Sequence, residues 1–235
     1  ASYTWNDTKD NTSFNGNVAN SATLSQPVVD DPRNLSAVTY SSNHFRHKVV
    51  AYGTAPTFWG VKFGLRFTGT GGTRYSLLSG GNTNGDFVTS SNDLAFVFDP
   101  NSTSTPENLR TGLQAILDNP DASQSIKDFI TSAAGTIAER NAGVNEFYGT
   151  IDLRLAKEIK FYKTHGVELS VDVFNFANML NKEWGVYRSY GNTALYRVTG
   201  FDQAAQQFKY EVNTAGVAGY NGNPWQLQIG ARYAF

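Results

Sequence analysis

Four residues in one stretch carry oxygen atoms at a spacing that metal chemistry could use. Asn82, Asn84, Asp86 and Asp93 stand at positions one, three, five and twelve of a calcium-loop pattern. Such a loop wraps a hard cation in carboxylate and carbonyl oxygens and takes glycine at its sharp turn. Here two of the four are amides, and Phe87 occupies the glycine place. The stretch therefore reads first as an Asn/Gly turn leaving Ser79, with calcium as the alternative. Glu139 and Arg140, adjacent and opposite in charge, read as a loop anchor built on a buried ion pair, with direct ligand contact as the alternative. His44, His47 and His165 are too scattered to form a ligand set with one another. No serine sits in a nucleophile elbow, no glycine loop opens a helix to cradle phosphate, and Asp30-Asp31 lies in loop composition. The expectation is a protein without catalytic chemistry.

Composition narrows the classes further. The chain has 235 residues, no cysteine, 14% aromatics and a net charge of −1. Without cysteine there is no thiolate metal site and no cysteine nucleophile. Without a basic block, nucleic acid is not an expected partner. No apolar run is long enough for a transmembrane helix. A mean hydropathy of −0.37 still suits a membrane protein whose strands alternate and so average out. The chain opens on the strand-like Ala1-Ser-Tyr-Thr-Trp-Asn6, with no secretory leader, and reads as mature and trimmed, or as a piece.

The elements that position these residues show a period of two. Along the terminal segment, Trp225, Leu227, Ile229, Ala231, Tyr233 and Phe235 share one parity, and Gln226, Gln228, Gly230, Arg232 and Ala234 the other. Alternate side chains of a strand point to opposite faces, so this strand is apolar and aromatic-ended on one face and polar or small on the other. That is the length and dress of a barrel strand crossing a bilayer. The same split recurs at 45–53, 60–70, 150–156 and 166–173. With Ser2–Trp5 it gives about six long strands. Val61, Phe63, Leu65, Phe67, Val167, Leu169, Val171 and Val173 are expected to face lipid. Lys62, Arg66, Glu168 and Asp172 are expected to face a wet interior.

Connection lengths alternate as well. Residues 55–60 and 162–166 are short turns, whereas about 7–44, 79–148 and 178–223 are very long excursions. Loops that long are uncommon in compact soluble domains, but they are the outer loops of a membrane barrel. Thr105-Pro106-Glu107 predicts a capped helix over about 106–118, stopped by Asn119-Pro120. The stripe Ile126, Phe129, Ile130 and Ala133 predicts a second over about 123–134. Tyr196–Val198 and Phe208–Val212 read as a hairpin within the last excursion. Asn175, Asn178 and Asn181 read as turn-forming amides at the outer end of the fifth strand. Trp5, Trp59, Trp184 and Trp225 fall at strand ends, where such rings prefer the headgroup level; a sugar-stacking platform is the rival.

In order, Gly80-Gly-Asn-Thr-Asn-Gly-Asp-Phe-Val-Thr-Ser-Ser-Asn-Asp-Leu94, Gly135-Thr-Ile-Ala-Glu-Arg-Asn-Ala-Gly143, Ile151-Asp-Leu-Arg-Leu155, Leu169-Ser-Val-Asp-Val-Phe-Asn-Phe-Ala-Asn178, Asn181-Lys-Glu-Trp-Gly185 and the terminal strand resemble the C-terminal barrel portion of TonB-dependent outer-membrane receptors. The branch is the Oar-like one, with a carboxypeptidase-regulatory-like domain. The resemblance implies an all-β transmembrane antiparallel barrel of about 22 strands, of which this chain supplies about the last six. It implies a bacterial outer-membrane location and energised uptake of an unidentified ligand. It further implies a plug and earlier strands outside this sequence, an inner-membrane energy-coupling protein as partner, and outer-membrane lipid around the strands. It implies too that Trp225, Leu227, Ile229, Tyr233 and Phe235 are read as a barrel-assembly signal. Two other classes remain open: a structural or adaptor barrel holding partner proteins in an outer-membrane assembly, and a soluble extracellular binding module.

Overall fold

The computed structural model describes residues 1–13, 24, 26–33, 35, 37–88, 92–186, 190–191, 193–214 and 224–235. Parts of the first and third excursions, 14–23 and 215–223 among them, lie outside the described residues. The chain is mainly β, with 47% of residues in strands. Period-two segments form one antiparallel sheet of six strands: β1 Ser2–Trp5, β2 His47–Phe58, β3 Val61–Thr70, β4 Tyr148–Tyr162, β5 His165–Phe174 and β6 Gln226–Ala234. Spatial order equals chain order. β2–β3 and β4–β5 are joined by tight turns, with positive φ at Trp59 and Gly60 in the first and at Lys163 in the second. All three long connections therefore leave from the opposite end.

Register decides which residues share a face, because partners directly opposite one another project the same way. One row across the sheet reads Gly53, Leu65, Leu153, Val173, Leu227, and the next reads Ala55, Phe63, Leu155, Val171, Ile229. The intervening row reads Thr54, Gly64, Arg154, Asp172, Gln228. One face is thus continuously apolar and the other polar. Lys157 is the one Lys, Arg, Asp or Glu on the apolar parity of these strands among the described residues, and it sits near the short-turn end.

Among the described residues, neither face carries a core. Ile229 is 75% exposed, and Phe63, Leu65, Leu155, Ile159, Leu169, Leu227 and Tyr233 are exposed as well. Each large apolar side chain left in water forgoes roughly 1.5–3 kcal/mol. Summed over this face, that rivals the ~5–15 kcal/mol by which whole domains are stable.

The buried core lies instead in the excursions. Tyr75, Leu77, Val97, Leu109, Leu113, Ile116, Ile126, Phe129, Ile130, Leu195, Tyr196 and Val212 pack together as a cap at the long-loop end. The two helices that supply its stripes are α1 Glu107–Asp118 and α2 Gln124–Ser132. The start of α1 corrects the expected cap. Thr105 Oγ1 donates to the Asp99 carbonyl at 2.7 Å, and no side chain caps the helix after Pro106. In α2 the Ser123 hydroxyl accepts from the Ile126 amide at 3.4 Å. The hairpin in the last excursion runs from Thr193–Asp202 to Gln207–Val212, and Thr193–Arg197 also pairs in parallel with Leu77–Gly80. That parallel contact joins two excursions into one loop sheet.

The position of the core predicts an asymmetric response to truncation. Leu113→Ala should destabilise the cap by about 2–5 kcal/mol, seen as lost hydrogen-exchange protection in α1 and α2. Ile229→Ala, on the bare apolar face, should leave that protection unchanged.

Candidate functional site

The calcium-spaced residues come together in one turn that uses their oxygens internally. Asp93 Oδ2 accepts from Thr83 N, from Thr83 Oγ1 at 2.7 Å and from Asn84 N at 3.0 Å. Asn82 Oδ1 accepts from Gly85 N at 2.8 Å, Asn84 Oδ1 from Asp86 N at 2.9 Å, and Asp86 Oδ1 from Val88 N at 2.7 Å. Gly85 carries the positive φ of this turn. Asn84 Nδ2 donates to the Asp30 carbonyl, and Val28 bridges the adjacent strand residues, with Val28 N on Asn92 O and Leu94 N on Val28 O. The turn thus clamps the first excursion to the second. A cation here would have to compete with backbone amides for the same oxygens.

The anchor expected at Glu139 and Arg140 is resolved by the partner each one finds. Arg140 is 6% exposed and reaches Asp10, not its neighbour: Nη2 lies 3.0 Å from Asp10 Oδ1 and also donates to the Asp10 carbonyl. Glu139 is exposed. Asn141, held at positive φ, donates through Nδ2 to Tyr40 O at 2.7 Å, and its backbone N–H donates to Ser76 Oγ at 2.9 Å. Asn145 then ties the second excursion to the third, exchanging two hydrogen bonds with the Tyr190 backbone at 2.7 and 2.9 Å. Gly72 passes so close to the Asn145 backbone that a methyl group would overlap it. Sequence spacing could not reveal the 130-residue separation of Asp10 and Arg140.

At the base of the cap, His44 is 1% exposed, with Nε2 3.3 Å from Arg74 Nη2 and Nδ1 4.0 Å from Asp7. The Arg74 guanidinium lies over the Tyr40 ring, 3.6 Å from its centroid. Burial first, then the charges of Arg74 and Arg46, push His44 below its ordinary value of 6.5, with Asp7 opposing them. Asp10 is also shifted. Burial raises its pKa, but hydrogen bonds from Ser41, Arg140 and Ser13 outweigh burial, and the carboxyl sits below its ordinary value of 3.8.

On the sheet, the five residues of the expected assembly signal share the apolar parity. Leu227, Ile229 and Tyr233 lie within β6, with Trp225 and Phe235 just beyond its two ends. Tyr233 stacks with both Phe161 and Phe235, at centroid distances of 6.3 and 5.9 Å, and its hydroxyl lies 2.5 Å from His165 Nδ1. Among the described residues β6 pairs with β5 alone and β1 with β2 alone, which leaves the outer edge of each open. On the polar face, Arg154 binds Asp172 at 3.1 Å and Glu168 at 3.8 Å, with Lys62 4.0 Å from Glu168.

Among the clefts in the cap are two with carboxylates in their linings. One, of about 710 Å³, has Val28, Val29, Val38 and Ile137 on its walls with Lys9 and Glu139 at its margin. The other, of about 630 Å³, lies against α2 and is lined by Asp128, Glu139 and Glu146. Among the described residues, no group of three His, Cys, Asp or Glu side chains could hold a metal ion. Compared with protein-family models, curated proteins and solved structures, the chain matches none.

Two pH responses follow from the shifted groups. Folding holds His44 neutral, so its contribution is complete above pH ~6.5 and is lost as pH falls below that value. Wild type should therefore lose cap stability as pH falls below about 6.5, whereas His44→Gln should show a flatter profile by thermal unfolding. Asp10 contributes above its ordinary range and loses that contribution only as pH falls below about 4. Arg140→Ala should cost about 1.5–3 kcal/mol at neutral pH and reduce the Asp10-linked loss in strong acid, the hydrogen bonds from Ser41 and Ser13 keeping the remainder.

Proposed function

We propose that this chain is the closing section of an outer-membrane β-barrel receptor of the TonB-dependent type. Its role is energised uptake of a ligand captured by the cap. One observation carries the reading: the six-stranded antiparallel sheet is continuously apolar on one face and charged on the other, and among the described residues no protein core covers either. Hydrocarbon is the solvent that suits the first face and a wet interior the second. Aromatics at both ends support the same assignment. Phe58, Trp59, Phe161, Tyr162 and Phe235 lie at the short-turn end, and Tyr3, Trp5, Trp184 and Trp225 at the long-loop end, all exposed. Amphipathic rings settle at headgroup level on either side of a bilayer.

The open edges of β1 and β6 set a second requirement. Unpaired N–H and C=O groups in hydrocarbon cost several kcal/mol each, so neighbouring strands must complete the barrel. They belong to the same polypeptide or to another. The resemblance supports this reading and implies those strands, a plug, an energy-coupling partner and an extracellular cap.

An adaptor barrel that holds partner proteins is the second reading. It is favoured by one feature: the cap is a packed, cross-tied body with a fixed outer surface. Loss of energised ligand uptake on removing the plug, with partner proteins still retained, separates the two. A soluble module would have to keep its apolar face in water.

Replacing Leu169 by Arg should cost about 2–4 kcal/mol in lipid-vesicle refolding titrations, since charge near the midplane is penalised to that extent. Glu168→Gln, one residue away on the other face, should cost little. Equal small effects, together with a chain that stays in the aqueous phase after detergent partitioning, would count against the membrane reading.

A further inference from the structure

The long-loop end of β5 is built with unusual rigidity around three asparagines. Asn175 adopts the left-handed conformation, φ 51° and ψ 51°, and starts a short helix, α3 Phe176–Leu180. Its backbone N–H donates to Asp152 Oδ1 at 2.9 Å, and its Nδ2 donates to Gly185 O at 3.0 Å. Gly185 has φ +66°, and a methyl group there would overlap the Asn175 side chain. Asn178 is 8% exposed and satisfies three backbone groups: Lys182 O at 2.9 Å, Trp184 O at 3.0 Å, and the N–H of Trp225 at 3.1 Å. Asn181 Oδ1 accepts from Glu183 N at 2.9 Å. The turn is thereby tied to β4 on one side and to the entry of β6 on the other.

What this lock holds out is apolar. Met179 is 41% exposed, Leu180 62%, Trp184 55% and Trp225 44%. Ordering a segment costs conformational entropy, and among the described residues these side chains stay about half exposed. The patch runs into the apolar face through Trp225, which shares the parity of Leu227 and Ile229. Its ingredients, an amphipathic indole pair beside one leucine and the chain's single methionine, are those that settle where acyl chains meet headgroups.

We infer that Met179, Leu180 and Trp184 form an interfacial anchor whose occupant is the lipid surface at the long-loop end of the barrel. This rests on the membrane reading above and adds a contact outside the strands. Asn178 is its positioning residue, fixing the anchor to β6 at one depth.

This sequence has no cysteine, and any cysteine elsewhere in the receptor is replaced so that each label reports one site. Leu180→Cys and Ile229→Cys variants of the full receptor, each carrying a bimane, are placed in phosphatidylcholine vesicles brominated near the headgroup or deep in the acyl chain. The expected result is shallow-bromine quenching that dominates at 180 and deep-bromine quenching that dominates at 229. An Asn178→Ala variant should blur the depth at 180 and leave 229 unchanged. Quenching at 229 by lipid, with 180 quenched only by aqueous iodide, overturns the anchor and leaves the membrane reading intact. Protection of 180 from both lipid and iodide also overturns it, because protein then covers the patch. Iodide quenching at both sites overturns the anchor and the membrane reading together.

Discussion

The rest of the structure depends on what lies against the apolar face of the sheet. Strand alternation concentrates Phe63, Leu65, Leu155, Val171, Leu227 and Ile229 on one side, and nothing in the described chain packs over them. Backbone hydrogen bonds hold the strands in register, but register alone does not stabilise a sheet whose apolar side is wet. In hydrocarbon the same face is solvated at no cost. The opposite face, with its Arg154–Asp172 and Arg154–Glu168 pairs, then has to face water or a polar partner. Those pairs are exposed and contribute little to stability; their consequence is a charged wall.

The cap obeys ordinary globular physics. Its helices bury one stripe each, its tyrosines find partners such as Ser125 for Tyr75 at 2.9 Å, and polar cross-ties hold the three excursions together. Burial drives the pKa of Tyr75 and Tyr196 upward, which keeps both hydroxyls protonated as hydrogen-bond groups. The cap presents a preformed surface, since moving one excursion independently would break Asp10–Arg140 or Asn145–Tyr190. At the base, buried His44 lies 3.3 Å from the half-buried Arg74, and burial and that charge together disfavour its protonation.

Strand positions were legible in the sequence because the period-two split is sharp: all six sheet strands fall where alternation places them, in chain order. Both helices were legible from their stripes, yet the Thr105 cap was not, because Asp99 O competes for the same hydroxyl. The loop hairpin was visible from its β-branched and aromatic residues. Its parallel pairing with Leu77–Gly80 was not, since partners more than a hundred residues apart leave no local trace. The same holds for Asp10, whose role as the partner of Arg140 has no signal at either position. Reading the excursions as polar loops understated them. Leu109, Leu113, Ile126 and Leu195 are sparse along the chain, and only the folded cap brings them together.

The central claim is that lipid covers one parity of the strands and water the other. Nitroxide labels at each position from 167 to 173, in the receptor reconstituted into vesicles, test it most directly through collision with oxygen and with a water-soluble nickel complex. Oxygen accessibility should peak at 167, 169, 171 and 173, and nickel accessibility at 168, 170 and 172. Uniform nickel accessibility along the segment, without the two-residue period, would contradict the account.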